Sequence, residues 1–288
     1  VDAGALPTLL PGGRLVSDAA ARAAVAGVWG DVPAEPGRDL TAILEAVKGK
    51  QLKALLVGAV DPADCPDAAL ALDALEGAEF VVSLELRRTP VTDRADVVLP
   101  VAAAVEKAGT YLDWEGRARP FDAVLQTSGA LSDHRVLHVL ADEMDRPIGL
   151  PDVAAARAEI GALGAAPAST EVAPGAAAEE QPEGDAVLST WHLLLDDGSL
   201  QDGEPHLAGT ARRAVALLSA GTAGRLGAAE GDDLTVSTDR GSVTLPLVIG
   251  ALPDDVVWLP TRSHAAHVRT DLVAQHGSRV RLAKGGAQ

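Results

Sequence analysis

The sequence predicts an open, mostly parallel α/β sheet domain followed by a small all-β barrel, and three observations carry that prediction. Through the first half, helical stretches alternate with short, continuous apolar runs, the pattern of strands covered by helices. A stretch of Ala, Pro, Gly and Glu over 164–186 then holds Val172 as its one large apolar residue, too little to bury for order of its own. Beyond it the pattern shortens to runs rich in Val, Thr and Leu, punctuated by "DDG", "DRG" and "PDD" turns. The expected organisation is a sheet domain over 1–163, a linker over 164–186 and a barrel over 187–288.

The elements follow in order. After the coil "LPTLLPGGR", the run "SDAAARAAVAGVWG" predicts a helix capped by Ser17 or Asp18 and stopped at Gly30. A second helix runs from Asp39 to Val47 and ends at Gly49. The run "LKALLVGAV", Leu52 to Val60, has strand length, is closed by the breaker "DPADCPD", and reads as a parallel strand buried on both faces. Asp67 caps the helix "AALALDALEG"; the strand "EFVVSLEL", the loop "RRTPVT" and the short strand "ADVVLP" come next. Ligands of open α/β sheets bind at the carboxyl ends of the strands, so the loops after Val60, Leu86 and Leu99 are expected to share one edge. The helices "SDHRVLHVLADEMD" and "LPDVAAARAEIGAL" complete the first half. In the second half, "VLSTWHLLL", "DLTVST", "SVTLPLVIG", "VVWLPT" and "SRVRL" are strand candidates, with "TDRGS" as a hairpin turn and a helix from Ser219, its N-cap, to Leu226.

Composition narrows the chemistry. The 47% hydrophobic content supports a core, and with only 2% aromatic residues that core must be built from Ala, Val and Leu. A single cysteine, Cys65, leaves no disulfide framework, all-cysteine iron–sulfur cluster or Cys-rich zinc site within these residues. A formal charge of -17 repels phosphate backbones and anionic lipid, which argues against nucleic-acid binding. The longest apolar run, Val97 to Val105, is broken by Pro100 and falls short of the ~18 residues that span a bilayer. The start lacks Met and any leader pattern, so a piece of a longer polypeptide is expected.

Several residues could carry chemistry, each with a plainer reading. His134 and His138 stand four apart on a predicted helix, a zinc spacing, but Arg135 replaces the glutamate of H-E-x-x-H. His264 and His267 could chelate from a coil, without an evident third ligand. Asp61 and Asp64 could form an acid/base pair at the end of the first strand, or simply start a turn. Cys65 has no basic neighbour in sequence and reads as inert. No G-x-G-x-x-G or Walker lysine stands between a strand and a helix, which disfavours NAD or ATP bound in the usual way. Glu106, Lys107, Asp113, Glu115, Arg117 and Arg119 crowd the stretch "VEKAGTYLDWEGRAR"; their spacing leaves open whether they grip a polar cofactor or lock a long loop by ion pairs.

The stretch "ADVVLPVAAAVEKAGTYLDWEGRARP" resembles the A-D-V-V-L-P, E-K-x-G-T and E-G-R segment of the molybdopterin oxidoreductase superfamily, and "LGAAEGDDLTVSTDRGSVTLPLVI" is similar to its carboxyl-terminal six-stranded, double-psi type barrel. Within the superfamily, "AGVWGDVPAEPGRD", "GAVDPADCPD" and "TWHLLLDDGSLQDGEPHLAGTARRAVA" look most like the G-subunit family of bacterial NADH-quinone oxidoreductases, respiratory complex I, of actinobacterial type. That resemblance implies a framework segment in an electron-transfer subunit of the peripheral arm, on the cytoplasmic side of the cell membrane. It also implies iron–sulfur clusters of the 4Fe–4S and 2Fe–2S types only in a preceding amino-terminal part, and other complex I subunits as partners. Active relatives have G-x-N-P after the first strand and Asn in the loop after G-T. Here Asp61 and Asp113 stand in those places, and an ionised carboxylate repels a pyrophosphate. No catalytic, cofactor-binding or metal-ligating residue is therefore expected within these residues. The rival expectation is an active, formate dehydrogenase-like molybdopterin enzyme with Arg87, Thr89 and Asp113 lining the cofactor.

Overall fold

The computed structural model describes residues 6–113, 115–164 and 185–285. Two compact units emerge, one of Val1–Val60 with Ala74–Ala173, the other of Asp61–Asp73 with Pro174–Gln288. The expected linker over 164–186 lies outside the described residues except for Gly164, Asp185 and Ala186.

In the first unit, α1 (Ala19–Trp29) starts where Asp18 accepts a hydrogen bond from Ala20 N–H at 2.8 Å and stops at Gly30, whose φ of 83° only glycine adopts freely. The next helix, α2 (Leu40–Lys48), is capped the same way by Asp39 from Ala42 N–H at 2.8 Å. Then β1 (Ala54–Gly58), β2 (Phe80–Glu85) and β3 (Val97–Pro100) build a three-stranded parallel sheet with β2 in the centre, and α3 (Ala68–Gly77), between β1 and β2 in the chain, begins in the residues grouped with the second unit and ends in the first. Gly58, Leu84 and Leu99 lie side by side in register, so the loops after the three strands leave from one edge. A hairpin of β4 (Gly109–Leu112) and β5 (Ala118–Phe121) and the helices α4 (Asp133–Glu143) and α5 (Val153–Leu163) complete the unit.

Helices cover both faces of β2. Leu75 of α3 packs with Val81 and Val91 on one side, and Val136 of α4 with Leu84 and Val101 on the other. Val81 is 1% and Leu84 4% exposed. The same does not hold for β1. The sequence predicts a strand buried on both faces, but β1 is an edge strand with Leu56 51% exposed. A continuous apolar run reports what a strand could bury, and only a central position supplies the two covers.

The second unit is a closed barrel of β6 (Ala186–Trp191), β7 (Ala216–Leu218), β8 (Asp233–Ser237), β9 (Ser242–Ile249), β10 (Val256–Pro260) and β11 (Arg279–Lys284), in the order β8-β9-β7-β10-β6-β11. The β9/β7 and β10/β6 pairs are parallel and the others antiparallel. Closure leaves no unpaired edge. Inside lie Leu188, Leu218, Leu234 and Leu259, all at 0% exposure, each worth roughly 1.5–3 kcal/mol of burial. The sixth strand, β7, is missing from the five runs legible in sequence because its three residues are too few to show a period. It is followed at once by Ser219, which accepts from Thr222 N–H at 3.0 Å and caps α6 (Ala220–Arg225).

The turn "TDRG" joins β8 to β9 as the sequence predicts, with Ser237 opposite Ser242. Gly241 is required there by a close approach: a Cβ would stand 1.8 Å from the carbonyl oxygen of Asp271. Gly241→Ala must displace that backbone, so it is expected to cost about 2 kcal/mol or more in chemical denaturation of the barrel. An unchanged midpoint would show that the hairpin tip yields freely.

Candidate functional site

Three places hold the polar residues that the sequence singles out. The first is the acidic segment after β1, which belongs to the barrel unit. Asp61 opens a single turn, Pro62–Asp64, by accepting from Ala63 N–H at 3.0 Å. Its other oxygen lies 2.7 Å from Arg262, and the same guanidinium reaches Asp64 at 3.5 Å. Arg240 pairs with Asp67 at 2.6 Å, and Arg269 donates to the Asp64 carbonyl. Asp67 in turn caps α3 from Leu70 N–H at 3.0 Å. Three barrel arginines thus hold one acidic segment. Burial pushes the Asp61 carboxyl up, but the hydrogen bonds from Arg262 and Ala63 and the arginine's charge outweigh it, and the group sits below its ordinary value. Arg262 is raised by the converse balance, burial working against Asp61 and Asp64. Cys65 is buried, and burial with the neighbouring Asp64 and Asp61 raises its thiol, leaving it a poor nucleophile.

The second place is the charged hairpin. Asp113 folds back on its own turn, accepting from Glu115 N–H at 3.0 Å and Arg117 N–H at 2.9 Å, and pairs with Arg119 at 3.2 Å. Glu115 pairs with Arg117 at 2.5 Å, and Lys107 with Asp133 at the start of α4. Glu106 gathers four donors: the Thr127 hydroxyl at 2.5 Å and N–H at 3.1 Å, and the Ser128 N–H and hydroxyl, both at 2.8 Å. Those bonds, Thr127's hydroxyl first, lower its carboxyl from 4.5 to about 2. Gly109 lets the ring of Phe121 close over the hairpin, since a Cβ would meet it at 2.7 Å, and Phe121 stacks on Tyr111 at 4.9 Å. All six charged residues of this stretch are engaged with their own loop or with α4.

The third place is a cleft of about 450 Å³ at the carboxyl edge of the parallel sheet, lined by residues that include Glu85, Arg87, Arg88, Thr92 and Asp93. Of the rival cofactor set, Arg87 lines it. Thr89 instead locks a turn with Thr92, its N–H 2.8 Å from the Thr92 hydroxyl, and neither Thr89 nor Asp113 is among the lining residues.

The histidine pairs are brought to different partners. His134 Nδ1 lies 2.9 Å from the Ser132 hydroxyl, and burial lowers its pKa; His138 stands 3.4 Å from Asp142. His264 and His267 share one carboxylate, Asp197, at 2.9 and 3.0 Å. Among the described residues no group of three or more His, Cys, Asp and Glu side chains is placed to hold a metal ion.

Asp61 and Asp113 each have a guanidinium beside them; for Asp113 it is one of the loop-locking ion pairs that the spacing left open, and for Asp61 it is a partner the sequence does not name. Arg262, the charged partner of Asp61, is invisible to sequence reasoning because it lies 201 positions away in a short hairpin that the sequence reads as coil and whose histidines draw attention first.

The molybdopterin oxidoreductase family model matches residues 3–142. Over 293 aligned residues, 99% of the chain, the sequence is 50% identical to the G subunit of NADH-quinone oxidoreductase from Mycobacterium bovis, and over 292 residues, 98% of the chain, 49% identical to that from Streptomyces coelicolor. The first part of the chain carries a molybdopterin oxidoreductase domain. The likeness to the G subunit runs through both units. The chain spans about a third of the length of these relatives, 36% and 35%. In fold, the chain is similar to acetylene hydratase from Pelobacter acetylenicus, with a TM-score of 0.51 at 19% identity, covering 84% of this chain and 42% of that one.

Two outcomes test the site. Arg262→Ala strips Asp61 of its partner and is expected to cost about 2 kcal/mol in denaturant titrations. Because the folded Asp61 carboxyl lies below its ordinary 3.8, its contribution is present above that value and disappears as pH falls through the lowered one; the variant should lose this acid-side dependence. Glu106→Gln should loosen the loop at neutral pH, read as faster hydrogen exchange at Thr127 and Ser128. The wild type, with Glu106 lowered from 4.5 to about 2, should lose that protection only as pH falls towards about 2. Equal exchange in both proteins at pH 7 would show that Glu106 does not close the loop.

Proposed function

We propose that the chain is the framework part of a G subunit, acting within a proton-translocating NADH-quinone oxidoreductase and binding no pterin itself. The observation that carries this reading is the state of the two carboxylates at positions where active relatives have amides. An amide in a phosphate-binding loop offers an N–H to the ligand. Asp61 and Asp113 offer none, and each is already spent on an arginine and on backbone N–H groups. A pyrophosphate arriving there would have to break those ion pairs and then face the exposed carboxylates.

On this reading, electrons from NADH pass towards quinone through iron–sulfur clusters held by other parts of the full-length subunit. This portion supports them and contacts neighbouring subunits of the peripheral arm, on the cytoplasmic face of the cell membrane. The proposed division into a sheet domain over 1–163, a linker over 164–186 and a barrel over 187–288 is one that a framework part can have. Among the described residues no helix is long and apolar enough to cross a membrane. Catalytic, cofactor-binding and metal-ligating residues are assigned to none of these positions.

The alternative, an active molybdopterin enzyme, draws on the cleft with Arg87 at the sheet edge. The full-length subunit purified within its complex decides between them. Oxidative extraction should release no fluorescent pterin, and elemental analysis should find iron without molybdenum or tungsten. Stoichiometric pterin would overturn the proposal.

A further inference from the structure

Between β6 and β7 runs the connection 192–215, longer than the ~12–15 residues beyond which a loop with little structure of its own is uncommon and usually functional. Its one helical piece is the single turn Pro205–Ala208. The sequence predicts that strand β6 continues through "HLLL", but the strand ends at Trp191 and the leucines leave the barrel. Leu194 is 95% and Leu200 98% exposed, with Trp191 at 73% and Leu207 at 52% close by in the chain.

This loop is fastened. Asp197 is held by both His264 Nδ1 at 2.9 Å and His267 Nε2 at 3.0 Å, on the hairpin after β10. Asp196 accepts from Gly198 N–H at 2.8 Å, and Glu204 caps the helical turn from His206 N–H at 2.9 Å. The two most exposed leucines therefore flank a pinned carboxylate, and stand in water on an anchored segment. Beside them is a notch of about 330 Å³ whose lining includes Asp196, Asp197, Asp202, Glu204, Gln201 and His264. Over the connection 192–215 the sequence has four carboxylates, all before position 205, and two arginines, Arg212 and Arg213, at its far end.

We propose that this loop docks a partner protein through an apolar patch bordered by lysine or arginine. The leucines supply the area removed from water, and the acidic notch takes an ammonium or guanidinium group from the partner's rim. The acidic border fixes the class of partner, because an anionic lipid surface would be repelled by the same carboxylates. This inference rests on the framework reading, and names where on the barrel that framework would meet another subunit.

The test uses the full-length subunit in its native complex, with a photo-reactive amino acid at position 200 and, as a control, at the exposed Ala283 of β11. Cross-links from 200, and not from 283, should reach another protein of the complex at a segment that mixes aliphatic side chains with Lys or Arg. Alongside, Leu194→Ser with Leu200→Ser should lower retention of the subunit in the complex about tenfold in high salt, while the melting of the subunit is unchanged because both side chains are exposed. Cross-links from 200 confined to the subunit's own chain or to lipid, or retention unchanged in the double variant, would overturn the docking proposal and leave the framework reading in place. Failure of the unaltered subunit to co-purify with NADH-oxidising activity would overturn both.

Discussion

A guanidinium whose side chain is only 16% exposed has to have an anion against it, and Arg262 has two, Asp61 and Asp64. Much of the second unit's shape follows from that need. Once Arg262 holds Asp61, the turn 62–64 is fixed, Cys65 is covered, and Asp67 is delivered to Arg240 at the start of α3. The segment that a strand-by-strand reading places with the sheet domain thereby becomes part of the barrel unit. Charge pairing contributes to that grouping, alongside the burial of Cys65, Ala68 and Ala71.

The same logic appears in a second form at Asp113, where compensation comes mainly from backbone N–H groups of its own turn and then from Arg119. Binding a phosphate-rich ligand requires donors with nothing else to do. In this chain, Arg262 and Arg119 are committed to carboxylates of the same polypeptide, the first pair largely covered and the second open to water on the arginine side.

Local chemistry was legible in the sequence and distant pairing was not. Asp18, Asp39 and Asp67 announce helix starts because a cap is made with residues two or three positions ahead. The "TDRG" turn announces a hairpin for the same reason. The family-like motif around Gly109 was recognisable, and the structure adds why its glycine is needed, under the ring of Phe121. By contrast, the three residues of β7 carry no period, and the open flank of β1 depends on what lies beside it. The partners of Asp61 and His267 come from 201 and 70 positions away, a separation at which charge patterning along the chain says nothing.

The barrel and the sheet also differ in how they end. Closed on itself, the barrel shows its neighbours only side chains. The three-stranded sheet stops at β1 and β3, where, among the described residues, backbone donors and acceptors face outward next to Leu56, Val97 and Val98. Such a border is a template for any other extended chain, so this polypeptide handled by itself carries its propensity to self-associate and precipitate in the first unit.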